Sequence, residues 1–344
     1  MADILCAGHI CLDIIPALNG PFIFEPGKLI EVGAATVSTG GCVPNTGLAL
    51  HRLGASVELC GRLGDDAFGS LVLDVLRREG LPQPMRLTPG AETSYTVVVN
   101  PPCEDRMFLH FPGANADFGS EDVREASLKG TKVVHVGYPP LLRRLYRDNG
   151  EEVRQIFERA HAAGAATSLD MTFPDAGAES GRVDWQAWLA NVLPHCDLFV
   201  PSAPELGFML GVEPPEEPEA THVVSRLAEE ALQLGASVVV IKNGPAGLFV
   251  RARSDGIHPL FPSSWRKQEH FEPAFQVEVA GTTGAGDATV AGFLFALLRG
   301  AELPEAARIA AAVGACSVER ADALSGIPTW ERLQERLAKP WEKR

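Results

Sequence analysis

Apolar residues run along the chain in short clusters of four or five, and between them lie longer stretches with an apolar position every three or four residues. The clusters read as strands buried on both faces, the longer stretches as amphipathic helices. On this pattern strands are expected at 4–8, 56–60, 132–136, 166–170, 197–200 and 238–242. Helices are expected at 44–53, 67–79, 151–163, 184–192, 221–234 and 285–299. Pro44 opens the first helix in its first turn and Gly54 closes it, while Gly80 closes the second. Strands alternating with helices in this way predict an α/β fold, a central and mainly parallel sheet wrapped by helices.

Two stretches break the rhythm. Residues 11–38 carry Pro16, Pro21 and Pro26 among short β-like pieces. Residues 93–111 alternate polar and apolar positions up to Val99, turn near 100–105, and resume as Arg106-Met-Phe-Leu-His-Phe. That is a hairpin pattern with no parallel partner in evidence. The two stretches, taken as about 11–38 and 91–113, are expected to form one small β unit projecting from the main sheet. The acidic, proline-rich run 213–219 reads as a surface loop.

Composition narrows the function classes. With 344 residues and 46% hydrophobic positions the chain can bury a large core. Thirty basic against 44 acidic side chains leave a net charge of −14. No basic stripe offers phosphate neutralisation, which argues against nucleic acid as the main partner. The apolar runs fall short of the roughly 18 residues that a membrane span requires. The first residues have neither a basic region nor a long apolar one, so a signal peptide is not expected. Seven scattered cysteines without a C-x-x-C pair point away from a disulfide framework or zinc site, and the expected compartment is the reducing cytoplasm.

The most informative segment is Ala280-Gly-Thr-Thr-Gly-Ala-Gly-Asp287, which runs directly into an apolar helix pattern. Gly284 and Gly286 allow a sharp turn that aims consecutive N–H groups outward at a helix N-terminus, where an anion is favoured. Asp287 then stands in the first turn, within reach of an attacking hydroxyl. An anion cradle beside a carboxylate suits phosphoryl transfer, in which one group holds charge and another activates an alcohol. An ordinary glycine turn with a helix-capping Asp has the same local pattern. No Gly-Lys-Ser/Thr follows, as a Walker A loop would require, and no Gly-x-Gly-x-x-Gly follows the first strand.

The segment resembles the signature Asp-Thr-x-Gly-Ala-Gly-Asp of the ribokinase-like, or PfkB, family of carbohydrate and nucleoside kinases, with Gly281 in place of the first Asp. Gly40-Gly-Cys-Val-Pro-Asn45 is similar to that family's Gly-Gly-x-x-x-Asn, and Gly61–Gly69 and Phe111–Asn115 resemble further recurrent segments. The resemblance covers nearly the whole chain. It implies a single ribokinase-like three-layer domain over 1–344, with the small β unit as a lid. It implies Asp287 as general base and the amides of Gly284, Ala285 and Gly286 as anion hole. Asp13, Gly40, Gly41 and Asn45 would bind the sugar, although Asp13 also reads as a turn residue and Asn45 as a helix cap.

The resemblance further implies ATP and Mg²⁺. Ile241-Lys-Asn-Gly-Pro-Ala-Gly247 is similar to the family's Lys-x-Gly-x-x-Gly turn, which brings Lys242, Gly244 and Gly247, with Thr282, to the nucleotide phosphates. Lys242 reads equally as an exposed lysine at a strand end. Ser202 and Glu205 stand where relatives have Asn-x-x-Glu, which implies contact of Ser202 with the nucleotide and of Glu205 with Mg²⁺ through water. Glu205 also reads as a plain helix-start carboxylate. Gly281 lacks the carboxylate that helps form a monovalent-cation site in some relatives, so potassium activation is not expected. Asp170-Met-Thr-Phe-Pro174 keeps only the Asp of the family's Asp-x-Asn-x-Arg. A dimer through the lid is expected from its open strand edge. Two other functions remain open: a nucleoside kinase with Phe22, Phe24 and Tyr95 around the base, and a sugar- or nucleotide-binding protein without catalysis.

Overall fold

The computed structural model describes residues 2–18, 20, 25–81, 85–101, 106–212 and 221–344. Its strands are β1 (Ile4–Gly8), β2 (Cys11–Pro16), β3 (Ala35–Gly40), β4 (Val57–Cys60), β5 (Arg62–Gly64), β6 (Arg86–Thr88) and β7 (Tyr95–Val99). They continue as β8 (Met107–Phe111), β9 (Val133–Gly137), β10 (Ala166–Asp170), β11 (Leu198–Phe199), β12 (Val238–Lys242), β13 (Leu248–Ala252) and β14 (Glu269–Glu272). The main sheet has the order β14-β13-β12-β11-β10-β9-β1-β4. From β4 to β12 all its pairs are parallel, and β13 and β14 add an antiparallel edge.

Alternation along β1 divides the core. Ile4 and Cys6 face one side, where they join the helices Cys42–Leu53, Ala285–Leu298 and Leu303–Val318. Leu5 and Ala7 face the other, against the helices Glu151–Ala162, Trp185–Val192, Ala203–Leu210 and Thr221–Gln233. This is the expected arrangement of helix, sheet and helix. The helix Ala285–Leu298 is apolar all round because the helix Leu303–Val318 covers the side turned away from the sheet. A Cβ at Gly292 would stand 2.9 Å from the Cα of Ala310, so the two helices approach at a contact only glycine permits.

The two irregular stretches meet in a four-stranded sheet of order β3-β2-β7-β8. The hairpin β7–β8 is antiparallel as expected. Contrary to expectation, β7 has a parallel partner, since Leu12–Ile14 of β2 pair with Tyr95–Val97. β3 runs on to Gly40, two residues beyond the anticipated edge of the unit. Phe22, Phe24, Cys103 and the acidic run 213–219 lie outside the described residues.

Candidate active site

The C-terminal ends of the parallel strands open onto a cavity of about 1450 Å³ between the small sheet and the start of the helix Ala285–Leu298. Its position follows from topology. β1 lies between β9 and β4, so the chain leaves β1 in opposite directions, and such a switch point leaves a crevice at the strand ends. Gly8, Gly137 and Asp170 stand side by side in register across β1, β9 and β10.

Gly284 caps the helix N-terminus with φ 72°, and a Cβ there would lie 2.5 Å from the Cβ of Ala323. Only glycine fits both the left-handed backbone and the space. The amide of Ala285 bonds to the carbonyl of Thr282 at 3.3 Å, whereas the first-turn amides of Gly286 and Asp287 have no intrahelical acceptor. A Cβ at Gly286 would come within 3.5 Å of Lys242 Nζ, so the ammonium stands beside the cradle. Gly281 packs against the backbone of Ala321, 2.9 Å from an ideal Cβ, and any side chain there would displace that backbone.

Asp287 is 1% exposed. Its Oδ2 accepts from Asn45 Nδ2 at 3.0 Å, and its Oδ1 from Tyr138 Oη at 2.9 Å and Thr46 Oγ1 at 3.4 Å. Burial raises its carboxyl above the usual carboxylate range, while Asn45, Lys242, Tyr138 and Thr46 pull in the opposite direction. Asn45 is therefore not the helix cap of the alternative reading, since it lies within the helix Cys42–Leu53, whose N-cap is Gly41 with no side-chain cap. It joins the two motifs, 242 residues apart, in one hydrogen bond.

On the small-sheet side, a Cβ at Gly40 would meet Asp13 Oδ2 at 2.2 Å, and one at Gly41, with φ 92°, would meet His9 Nδ1 at 2.4 Å. The diglycine thus makes room for a carboxylate and an imidazole at the cavity wall. Asp13 is a strand residue and not a turn residue, and it accepts from Cys11 Sγ at 3.3 Å. Burial raises its carboxyl to about 6. His9 and His110 face each other with ring centroids 5.1 Å apart, and His110 Nδ1 pairs with Thr96 Oγ1 at 3.0 Å. Burial keeps His9 well below its ordinary value, with the nearby His110 acting in the same direction, so the ring is neutral at pH 7.

At the far side, Lys242 points inward and ion-pairs with the fully buried Asp170, so it is not the exposed strand-end lysine of the alternative reading. Burial alone would pull its ammonium down, but Asp170 and Glu205 outweigh that and hold it charged. Gly247, with φ 116°, would put a Cβ 2.1 Å from the carbonyl of Glu272, and Gly244 has φ 53°. Both glycines and Thr282 line the cavity. Ser202 caps the helix Ala203–Leu210 in a capping box, accepting from the amide of Glu205 at 3.3 Å while Glu205 accepts from the amide of Ser202 at 2.7 Å. Both residues also border the cavity.

The cavity is therefore lined by the sequence-derived site residues with the exception of Gly40, which stands behind Asp13. It adds His9, His110, Tyr138 and Arg106, which sequence reasoning missed. Arg106 crosses from the small sheet to donate to Thr283 Oγ1 at 2.7 Å, next to the cradle. Tyr95 packs against Phe68 and Phe111 at 5.6 Å each and does not line the cavity.

A mainly parallel sheet with helices on both faces, a glycine-turned helix start beside a buried carboxylate, and a second small sheet over the cavity place the protein in the three-layer α/β class. The model of the pfkB family carbohydrate kinases matches residues 1–330, and the chain belongs to that family. It is an ATP-dependent carbohydrate kinase. It is 26% identical over 353 residues to the probable chloroplastic fructokinase-6 of Arabidopsis thaliana, covering 98% of this chain and 82% of that one. It is 23% identical over 343 residues to a 5-dehydro-2-deoxygluconokinase of Geobacillus thermodenitrificans, covering 97% and 92%. Among solved structures, the fold matches a fructokinase with bound ATP from Xylella fastidiosa with a TM-score of 0.76 at 22% identity, covering 98% and 100%. It likewise matches Arabidopsis thaliana ribokinase complexed with ribose and ATP with a TM-score of 0.77 at 20% identity, covering 98% and 99%.

No helix among the described residues is long and apolar enough to cross a membrane. The six described cysteines are free thiols.

Proposed function

We propose that the protein transfers the terminal phosphoryl group of ATP to a hydroxyl of a small sugar or sugar acid, with Asp287 as general base. The observation that carries this reading is the buried Asp287 at the mouth of the cradle, oriented by Asn45 of the other motif and by Tyr138. Its raised carboxyl suits proton acceptance near neutral pH. The substrate would lie under the small sheet, which acts as a lid within a single domain of 344 residues. There Asp13, Asn45 and the Gly40–Gly41 backbone are directional partners for vicinal hydroxyls. The nucleotide phosphates would run along Gly244, Gly247, Thr282 and Lys242, with Ser202 at their edge. As the hydroxyl attacks, Asp287 takes its proton, and the amides of residues 284–286 with Lys242 stabilise charge on the transferring group.

Among the described residues no three His, Cys, Asp or Glu side chains form a metal cage. That fits Mg²⁺, which keeps several waters and binds mainly through substrate phosphates. Glu205 would face it through water, and bound Mg²⁺ would neutralise phosphate charge. The lack of a side chain at Gly281 supports a kinase that does not depend on potassium.

The family and the neutral polar wall formed by His9, Thr96 and His110 favour a sugar over a nucleoside, because Tyr95 offers the base no surface in the cavity. The intact Asp287 favours catalysis over binding alone. The working compartment is the cytoplasm, which the free thiols support. The test is a phosphorylation screen over pentoses, hexoses, keto-deoxy acids, polyols and nucleosides. ADP formation with a sugar or sugar acid is expected. Turnover restricted to nucleosides, or ATP binding with no turnover on any acceptor, would overturn the reading.

A further inference from the structure

Of the three side chains that donate to Asp287, Asn45 and Thr46 are neighbours on the helix Cys42–Leu53, whereas Tyr138 comes from a part of the chain remote from both signature segments. It follows β9 directly and has φ 61° and ψ 44°, a left-handed conformation uncommon for a bulky residue and maintained only where the surroundings hold it. Those surroundings are specific. The preceding Gly137 lies so close to Cys42 that a Cβ would be 2.4 Å from the sulfur. The Tyr138 amide donates to the carbonyl of Asp170 at 3.1 Å, its own carbonyl accepts from Leu141 at 3.0 Å, and Pro139 and Pro140 follow at once. The backbone thereby aims the phenol across the switch point at Asp287 Oδ1, past the ring of His9 at 6.1 Å.

A phenol has one proton to give. Spent on Oδ1, which also accepts from Thr46, it fixes the carboxylate rotamer and favours the ionised form, while Oδ2, which accepts from Asn45, keeps a lone pair for an incoming hydroxyl. We propose that Tyr138 is a positioning residue for phosphoryl transfer, holding Asp287 in its reactive orientation and in its anionic form. The inference rests on the reading of Asp287 as base.

The groups facing Asp287 come from every neighbouring element. They are Asn45 and Thr46 from the helix Cys42–Leu53, with the Cys42 thiol; Cys6 from β1; Asp13 from β2; Asp170 from β10; and Lys242 from β12. Asp13 and Asp170 repel a second negative charge, and Lys242 attracts it. Removing the phenol proton tilts that balance toward protonation.

The test is the pH dependence of kcat/KM for Tyr138→Phe with whichever sugar the screen identifies. The acid limb moves to higher pH, and kcat falls on the order of tenfold with the KM for ATP unchanged. Incorporation of 3-fluorotyrosine at 138 keeps the size of the side chain and strengthens the donor, so the acid limb moves to lower pH even if the phenylalanine variant folds poorly. Acid limbs that coincide with that of the unmodified protein in both cases would overturn the inference. Asp287→Asn run in parallel separates the two ideas. Retained turnover there sinks the assignment of the base, whereas a dead Asp287→Asn beside an unmoved Tyr138 profile sinks the role of Tyr138 alone.

Discussion

Asp13, the proposed sugar ligand, shows how a residue placed for binding weakens the fold that holds it. Its carboxyl is raised from 3.8 to about 6, so the folded chain binds a proton more tightly than the unfolded one. The resulting stabilisation is complete below about pH 4 and is lost as pH rises through about 6. Asp13→Asn is therefore expected to raise stability by about 1–3 kcal/mol at pH 8 and to have little effect at pH 4, with sugar affinity reduced. Thermal denaturation at the two pH values checks this, and an equal shift at both would contradict it. Gly41→Ala should act in the opposite way, lowering stability by about 1–3 kcal/mol through its left-handed φ and the clash with His9, and raising the KM for the sugar. The glycine turn before Asp287 was legible in the sequence because glycines at a helix start are a local signal, and the diglycine through its resemblance to a family motif. His9 and Tyr138 were not, because strand register alone assembles them, across the switch point, from positions some 130 residues apart.

The elements that carry the site hold it through their ends and contacts. Ser202→Ala removes one half of the capping box and should cost about 1 kcal/mol, while Ser202→Asn, which restores a cap, should not. Chemical denaturation compares the two. Gly292→Leu forces the helix Ala285–Leu298 away from Ala310 and should lower stability by about 1–3 kcal/mol or more, moving the cradle with it. The strands and helices anticipated from periodicity formed within a few residues of their expected ends, since two-sided burial and regular capping write a clear pattern. Other elements were not anticipated, β14 and the last two helices among them. β14 is four mostly polar residues, Glu-His-Phe-Glu, whose partner β13 begins directly after the Gly244–Gly247 turn. The helix Leu303–Val318 is alanine-rich and buried along much of its length, and Trp330–Leu337 is short. The parallel pairing of β2 with β7 joins segments 80 residues apart, a distance at which alternation carries no information on partner choice.

The molecule as a whole sets an acidic surface around a site that must bind an anionic nucleotide. In the proposed mechanism local backbone amides, Lys242 and Mg²⁺ do that work, so the net charge of −14 carries little information on the ligand. The small sheet exposes Val37 on β3 and Met107, Phe108 and Leu109 on β8, all at 44% or more. Exposed apolar side chains on both edge strands favour a second copy as their cover. Light scattering is expected to give twice the chain mass of 36.8 kDa, and Phe108→Asp to return it to one; a monomer at all assay concentrations would remove the dimer. The central claim is that Asp287 is the base of a sugar kinase. It is tested most directly by the turnover of Asp287→Asn in an ADP-formation assay with the accepted sugar. A loss of about 10²–10⁴ in kcat with nucleotide binding intact is the expected result, and turnover within a factor of about ten of the unmodified protein would contradict it.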